Sequence, residues 1–304
     1  MSFGFFALIK SEYSFMVLTY IVFGDQPSYY QQAIFSMLSA LSKTSEEDSV
    51  VVLTDHPRKF NILDARITVI SMDQKTIEQW KGDHDFFWRI KIEALRHVAA
   101  KFSGENILYL DTDTVLYADL KRLRKSLSKG VNIMHINEGR LSQLATKTER
   151  RMWKQVKSKN YGSIIINQHD CMWNAGVVGI SSKNIAQLTL ALRICDEMCA
   201  DNVTRRLIEQ LSLSLALNST TQLCAAEHTI GHYWSNKEQW EYMISLFVAD
   251  CYQQCLPLEE QVQKVAKMNF NQLPIGLRIP NTQKRLNNIV AKLFPDVNPT
   301  FIQR

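Results

Sequence analysis

The 304-residue chain has no long apolar run. Phe15 to Phe23 spans nine residues, against the ~20 that a membrane helix needs. The shorter Phe3–Ile9 run has no basic residue before it and is followed by Lys10 and Glu12, so no targeting segment is expected and the cytoplasm is the expected location. The six cysteines, at 171, 195, 199, 224, 251 and 255, form no short-spaced ligand set. Cys195/Cys199 and Cys251/Cys255 have i,i+4 spacing, which puts each pair on one helix face. A four-cysteine zinc site is one reading of this, and reduced core cysteine is the favoured one. The sequons at Asn202-Val203-Thr204 and Asn218-Ser219-Thr220 carry no weight without a secretory signal. There is no internal repeat, low-complexity tract or break in composition, so nothing calls for a second fold.

What is present is ordinary for a globular enzyme-sized chain: 46% hydrophobic, 21% charged and a net charge of +5. The charge is concentrated. Residues 121–159 hold twelve Lys/Arg against Glu138 and Glu149, so the rest of the chain is net negative. This excludes a generally basic nucleic-acid binder. Trp153 and Tyr161 are too sparse within that segment for single-strand stacking. The segment reads as a solvated face, or as a peripheral contact for an anionic membrane or an acidic acceptor.

Apolar runs at 16–23, 49–54 and 67–70 alternate with a helical stripe at Ala33, Ile34, Met37, Leu38 and Leu41. Strand and helix in alternation predict an α/β fold with a mostly parallel sheet. A helix is expected over 86–100, a surface helix over 119–128, and strands over 131–136, 163–167 and 177–180. Residues 138–162 read as an insertion or lid. A helical period in two pieces covers 184–217, a site-like loop 228–240 and a helix 241–248.

The run Ile107-Leu108-Tyr109-Leu110 passes directly into Asp111-Thr112-Asp113. It predicts a buried strand whose carboxyl end carries two acids, which is where open α/β sheets bind ligands. Two carboxylates ~4 Å apart repel by about 4 kcal/mol at an effective dielectric near 20, so a cation is expected between them. A divalent metal carrying phosphates fits. A strand end whose acids merely cap the next turn is the plainer alternative.

Five stretches in order resemble the GT-A fold nucleotide-sugar glycosyltransferases, most closely the retaining family 8 enzymes related to glycogenin and the lipopolysaccharide galactosyltransferases. They are Arg89-Ile90-Lys91-Ile92, the Asp111-Thr112-Asp113 strand, Trp173-Asn174-Ala175-Gly176-Val177-Val178, Glu209-Gln210, and His232-Tyr233-Trp234-Ser235-Asn236-Lys237 with Trp240. The chain departs from the family pattern in four places. Lys237 comes one position early, Ser235 replaces a Gly, Glu238-Gln239 replaces a Pro, and the acid-amide pair begins with Glu209 in place of Asp.

The resemblance implies a mixed, mostly parallel sheet flanked by helices, and metal ligation of Mn²⁺ (or Mg²⁺) by Asp111, Asp113 and His232. His228, four residues earlier, competes with His232 for the third position. The resemblance also implies donor contacts from Arg89, Lys91, Thr112, Asn174, Ala175, Gly176 and Lys237. Arg89 ranks above Lys91 because its guanidinium can grip phosphate or sugar hydroxyls bidentately. Glu209 and Gln210 are expected beneath the anomeric carbon, Gln210 as a positioning group because it accepts no proton and Glu209 as nucleophile or sugar ligand. Both double displacement and same-face transfer fit retention. Thr19, Tyr20 and Asp55 are placed at the nucleoside by strand-end position alone, and Trp173 is an acceptor-stacking candidate or a core residue.

The expected function is transfer of a hexose from a nucleoside-diphosphate sugar, UDP-linked by preference, to a glycan, lipid or protein acceptor. The expected organisation is a catalytic domain over 1–250 with a helical extension, 251–304, packed on it. One rival is a sugar-1-phosphate nucleotidyltransferase. It wants a basic Gly-rich loop after the first strand, where this chain has Gly24-Asp25-Gln26-Pro27-Ser28. The other is a non-catalytic nucleotide-sugar-binding protein of the same fold.

Overall fold

The computed structural model describes residues 15–270 and 281–294. The Phe3–Ile9 run and the prolines at 274, 280 and 295 lie outside them. The chain opens with β1 (Met16–Val22), α1 (Pro27–Leu41), β2 (Ser49–Thr54), β3 (Thr68–Ser71), α2 (Gln74–Trp80), α3 (Arg89–Lys101) and β4 (Asn106–Leu110). Next come β5 (Thr114–Leu116), α4 (Lys121–Ser128), β6 (Ile133–Met134), β7 (Asn137–Arg140), α5 (Lys147–Val156), β8 (Asn160–Tyr161) and β9 (Ile164–Ile165). Then β10 (Cys171–Trp173), β11 (Val177–Ile180), α6 (Gln187–Ala200) and α7 (Ile208–Asn218) lead to β12 (Cys224–Ala225), β13 (Ile230–His232), α8 (Lys237–Gln253), α9 (Leu258–Ala266) and α10 (Asn281–Leu293).

The α/β expectation is met. Seven strands form one sheet in the order β12-β6-β11-β4-β1-β2-β3. β1 through β4 pair in parallel, and β11 runs antiparallel to both β4 and β6. The chain leaves β1 toward β2 and β3, then returns to place β4 on the other side of β1. The carboxyl ends of β1 and β4 therefore flank a topological switch point, where a crevice opens because the crossovers leave in opposite directions.

Helices cover both faces. Alternation along β1 sends Met16, Leu18, Tyr20 and Val22 into a core shared with α1 and α8. Val17, together with Ile107 and Tyr109 of β4, joins a second core under α3, α6 and α7. α9 packs on α1. Among the described residues, no helix is long and apolar enough to cross a membrane.

Several elements differ from the sequence reading. The helix expected from Phe86 starts at Arg89, because Phe86 is buried and its N–H donates back to Lys81 O, closing a turn. The strand expected over 131–136 is only Ile133–Met134. Cys195 and Cys199 share α6, but α8 ends at Gln253 and Cys255 sits in a left-handed turn (φ 51°), so Cys251 and Cys255 do not share a helix face. Residues 138–162 form β7, α5 and β8, with a Thr146/Glu149 capping box opening α5. The basic segment does not make one surface. α4 buries Leu123 and Leu127 in one core, whereas α5 buries Met152 and Val156 in the other, so its two halves lie on opposite faces of the sheet.

Candidate functional site

A cleft of about 1800 Å³ opens at the switch point. Its floor is built by backbone pairing. Asp111 N–H donates to Gly176 O at 2.8 Å, which ties the end of β4 to the start of β11. The β5–β13 pairing sets Thr114 opposite His232, and Tyr233 N–H donates to Asp113 O at 3.1 Å. These bonds bring together side chains 121 residues apart in the chain. His232 Nε2 stands 3.3 Å from Asp113 Oδ1 and 3.9 Å from Asp111 Oδ2. One ligand atom from each of the three lies within 4.8 Å of the others. It is the metal-competent group of His, Cys, Asp and Glu among the described residues.

Asn174 sets the orientation of His232. Its Oδ1 accepts from Gly176 N–H at 3.0 Å, and its Nδ2 donates to Glu138 Oε1 at 3.1 Å, so the amide's direction is determined. That same Oδ1 lies 3.0 Å from His232 Nδ1, which must therefore be the donor. Nε2 is left facing two carboxylates, an acceptor among acceptors unless a cation or proton joins them. Two hard oxygens and an imidazole nitrogen suit Mn²⁺ or Mg²⁺, so the donor set fits the expected metal. Gly176 completes the cradle: a Cβ there would meet His232 Cε1 and Nδ1 at 2.2 Å.

Two lysines surround this group. Lys91 Nζ is 3.2 Å from Asp111, 3.1 Å from Glu209 and 3.1 Å from Ala175 O. Lys237 Nζ is 2.8 Å from Asp113 Oδ2. Burial works against each charge, but the partners outweigh it for three of them. Asp113 is held well below the carboxylate range by His232 and Lys237. The Asp111 and Glu209 carboxylates raise Lys91, and Asp113 raises Lys237. Glu209 is raised because burial exceeds what Lys91 returns. Tyr109, which donates to Asp111 at 2.5 Å, is raised by burial and by that neighbour. His135 stacks edge-on against His232 at 5.4 Å and is pushed down to about 4 by burial, with His232 adding to the effect.

The cleft is lined by Lys91, Asp111, Thr112, Asp113, Asn174, Ala175, Gly176, Glu209, Gln210, His232 and Lys237 from the expected set. Five expected residues are not in its lining: Thr19, Tyr20, Asp55, Arg89 and Trp173. Each has a physical reason. Tyr20 points into the core and bonds Ser36 at 3.1 Å, and Thr19 is fully buried against its own strand. The β1 residues that reach the cleft are the later Ile21, Val22 and Phe23. Asp55 closes the β1–α1 loop, accepting from Gly24 N–H at 2.9 Å and Tyr30 OH at 3.0 Å.

Arg89 is a structural clamp. Its guanidinium grips Asp196 at 2.7 and 3.1 Å, Trp80 O at 2.9 Å and Glu93 at 3.1 Å. Lys91, expected to rank below Arg89, is the one of the two that reaches the acids of the cleft. Trp173 packs against the α6/α7 core, while its backbone N–H donates to Ser214 Oγ at 3.0 Å. His228 is solvent-exposed beside Glu227 and belongs neither to the metal-competent group nor to the cleft lining.

Glu138 escaped the sequence reading because it sits in a polar stretch with no pattern. It joins Asn174 to Gln210, whose Nε2 donates to Glu138 Oε2 at 2.8 Å. His135 and the exposed aromatics Phe87, Trp88 and Trp234 also line the cleft.

The sequence matches no protein-family profile and no curated protein. Similar solved structures include several glycosyltransferases and also the bifunctional IspDF of Campylobacter jejuni, at 11% identity and a TM-score of 0.33. GlyE of Streptococcus pneumoniae TIGR4 is 14% identical over 94% of this chain, with a TM-score of 0.43, and the chain spans 66% of its length. Mouse xyloside xylosyltransferase 1 is 10% identical over 69% of this chain and 84% of its own, with a TM-score of 0.47. An active-site mutant of LgtC is 14% identical over 69% of this chain and 72% of its own, with a TM-score of 0.46. With TM-scores below 0.5, the reading of function rests on the site's own geometry.

Proposed function

We propose that the protein is a metal-dependent glycosyltransferase of GT-A type, acting in the cytoplasm. It would move a hexose from a nucleoside-diphosphate sugar, UDP-linked by preference, to an acceptor hydroxyl with retention. One observation carries this reading: Asp111, Asp113 and His232 converge within 4.8 Å at the carboxyl end of a buried strand, inside a cleft large enough for a nucleotide sugar.

A divalent ion held by these three residues would neutralise the departing diphosphate. Lys237, beside Asp113, is placed to take the same phosphates as a point charge. Phe23 and Phe87, with ring centroids 5.4 Å apart, offer an apolar wall to the nucleoside. Asn174, Ala175 and Gly176 let the backbone approach the sugar, with Gly176 lacking a side chain where His232 stands.

Glu209 is shielded and gripped by Lys91, which suits a counter-charge under the developing oxocarbenium ion better than a free nucleophile. Gln210, whose amide Glu138 holds, is the group best placed to orient the sugar. This arrangement favours same-face transfer, with the leaving diphosphate oxygen taking the acceptor's proton.

The test is nucleotide release from a panel of UDP-, GDP- and ADP-hexoses with Mn²⁺ or with EDTA. Metal-dependent release that falls at least 100-fold in Asp111→Ala and Asp113→Ala supports the reading. Release indifferent to both substitutions sinks the metal site. Pyrophosphate-dependent formation of nucleotide sugar identifies a nucleotidyltransferase, and tight nucleotide binding without turnover identifies a binding protein.

A further inference from the structure

The cleft is lined by four lysine and arginine side chains: Lys91, Arg140, Arg206 and Lys237. Lys91 and Lys237 are both neutralised by the acids described above. Arg140 and Arg206 are exposed, and among the described residues neither has a carboxylate partner. Of the glutamates on the lining, Glu138 is committed to Asn174 and Gln210, Glu209 to Lys91 and Glu149 to its capping box, while Glu227 stands beside His228.

The placement of the two arginines follows from their elements. Arg140 is two residues beyond Glu138, about 7 Å along β7. Arg206 is four residues before Gln210, in the turn that starts α7, which is about one helical turn. The Glu138–Gln210 hydrogen bond thus has a guanidinium following on from each of its two elements. From Lys237 the contacts run through Asp113, His232, Asn174 and Glu138 to Gln210. Arg140 follows the Glu138 end of that line on β7, and Arg206 precedes its Gln210 end by about one turn, three residues before Glu209, the partner of Lys91.

We infer that the acceptor is an acidic sugar, and that Arg140 and Arg206 hold its phosphate or carboxylate beyond Gln210. Two unpaired guanidiniums on the lining of one cleft repel each other, and a bound anion removes that cost. The planar fork of Arg matches both phosphate and carboxylate oxygens bidentately. The donor diphosphate has Lys237 and the Asp111, Asp113 and His232 group to meet its charge, which leaves the two arginines without a role in that reading. The inference rests on the glycosyltransferase reading for the word acceptor, but the anion site itself does not.

The test uses three probes that share one ring: glucose, glucuronic acid and glucose 6-phosphate. UDP binding in Mn²⁺ is measured first by calorimetry. The three sugars are then titrated into the UDP- and Mn²⁺-loaded protein, or into the free protein in EDTA if UDP does not bind. We expect both acidic sugars to bind at least tenfold more tightly than glucose. The preference should disappear in Arg140→Ala/Arg206→Ala and weaken with salt, and Arg140→Lys/Arg206→Lys should recover part of it. Binding by glucose 6-phosphate alone narrows the group to phosphate, and by glucuronate alone to carboxylate. Equal binding of all three, or a preference that survives the double alanine variant, overturns the inference. Failure of UDP to bind counts against the donor reading and leaves the arginine comparison to be decided in EDTA.

Discussion

Asn174 Oδ1 stands 3.0 Å from His232 Nδ1, joining two segments 58 residues apart and determining which imidazole nitrogen faces the aspartates. Outer partners of this kind commonly contribute 10–100-fold to metal affinity by holding the ring and its tautomer. Asn174→Ala should therefore weaken Mn²⁺ binding by about that factor while leaving the melting temperature within a few degrees. Electron paramagnetic resonance of free Mn²⁺ measures it. Unchanged affinity would show that Asn174 does not govern the histidine.

Gly176 tests the same cradle from the other side. Gly176→Ala places a methyl group 2.2 Å from the His232 ring, so the ring must move. Overpacking should cost about 1–3 kcal/mol in denaturant unfolding. Metal affinity should fall with it, because the displaced Nε2 no longer converges on Asp111 and Asp113. Retained Mn²⁺ affinity would mean that the ring shifts without leaving the ligand set.

The two candidate histidines separate cleanly. His232→Ala should abolish measurable Mn²⁺ binding at micromolar metal, whereas His228→Ala should change it less than twofold because His228 is exposed beside Glu227 alone. The reverse result would place the third ligand four residues earlier.

Lys91 and Arg89 are predicted to fail differently. Lys91→Met leaves Asp111 and Glu209 without their shared ammonium, and removing one partner of a shielded ion pair costs about 3–5 kcal/mol. Restoring much of that stability with Glu209→Gln on top would confirm the pairing. Arg89→Ala should destabilise through Asp196 and leave the KM for nucleotide sugar unchanged, since Arg89 is outside the cleft lining. A raised KM would return Arg89 to the donor site.

Far from the cleft, Asp48 is shielded beneath Arg124, with both contacts at 2.6 Å. Burial alone would raise its pKa, but Arg124 and the Ser45 N–H hold it below the ordinary value. A lowered folded-state pKa contributes stability that is present above about pH 4 and is lost as the pH falls through the folded value. Asp48→Asn should therefore be less stable than the parent at pH 7, and the gap should narrow below pH 4. A gap independent of pH would mean that packing, not charge, is what the aspartate supplies.

Much of the fold was legible from local pattern. Four apolar residues running into Asp111 announce a buried strand with acids at its end, since only a strand covered on both faces is apolar without alternation. The period of Ala33, Ile34, Met37, Leu38 and Leu41 announces α1 in the same way. That Asp111 and Asp113 call for a cation was readable from residue type, whereas His232 was joined to them through the resemblance of its loop, and the three converge in the structure. What sequence cannot carry is direction and partnership. Tyr20 and Thr19 sit on the right strand, but strand parity turns Tyr20 into the α1 core and the cleft begins only at Ile21.

Arg89 and Lys91 are two residues apart on one helix, hence about 200° apart around its axis. Packing alone decided that Lys91 meets the acids while Arg89 meets Asp196. Glu138, Arg140 and Arg206 stand in polar stretches without period. The place of Glu138 beside Gln210, and of both arginines on the cleft lining, was decided by tertiary contacts that bring β7 and the start of α7 to one cleft, which local spacing does not encode.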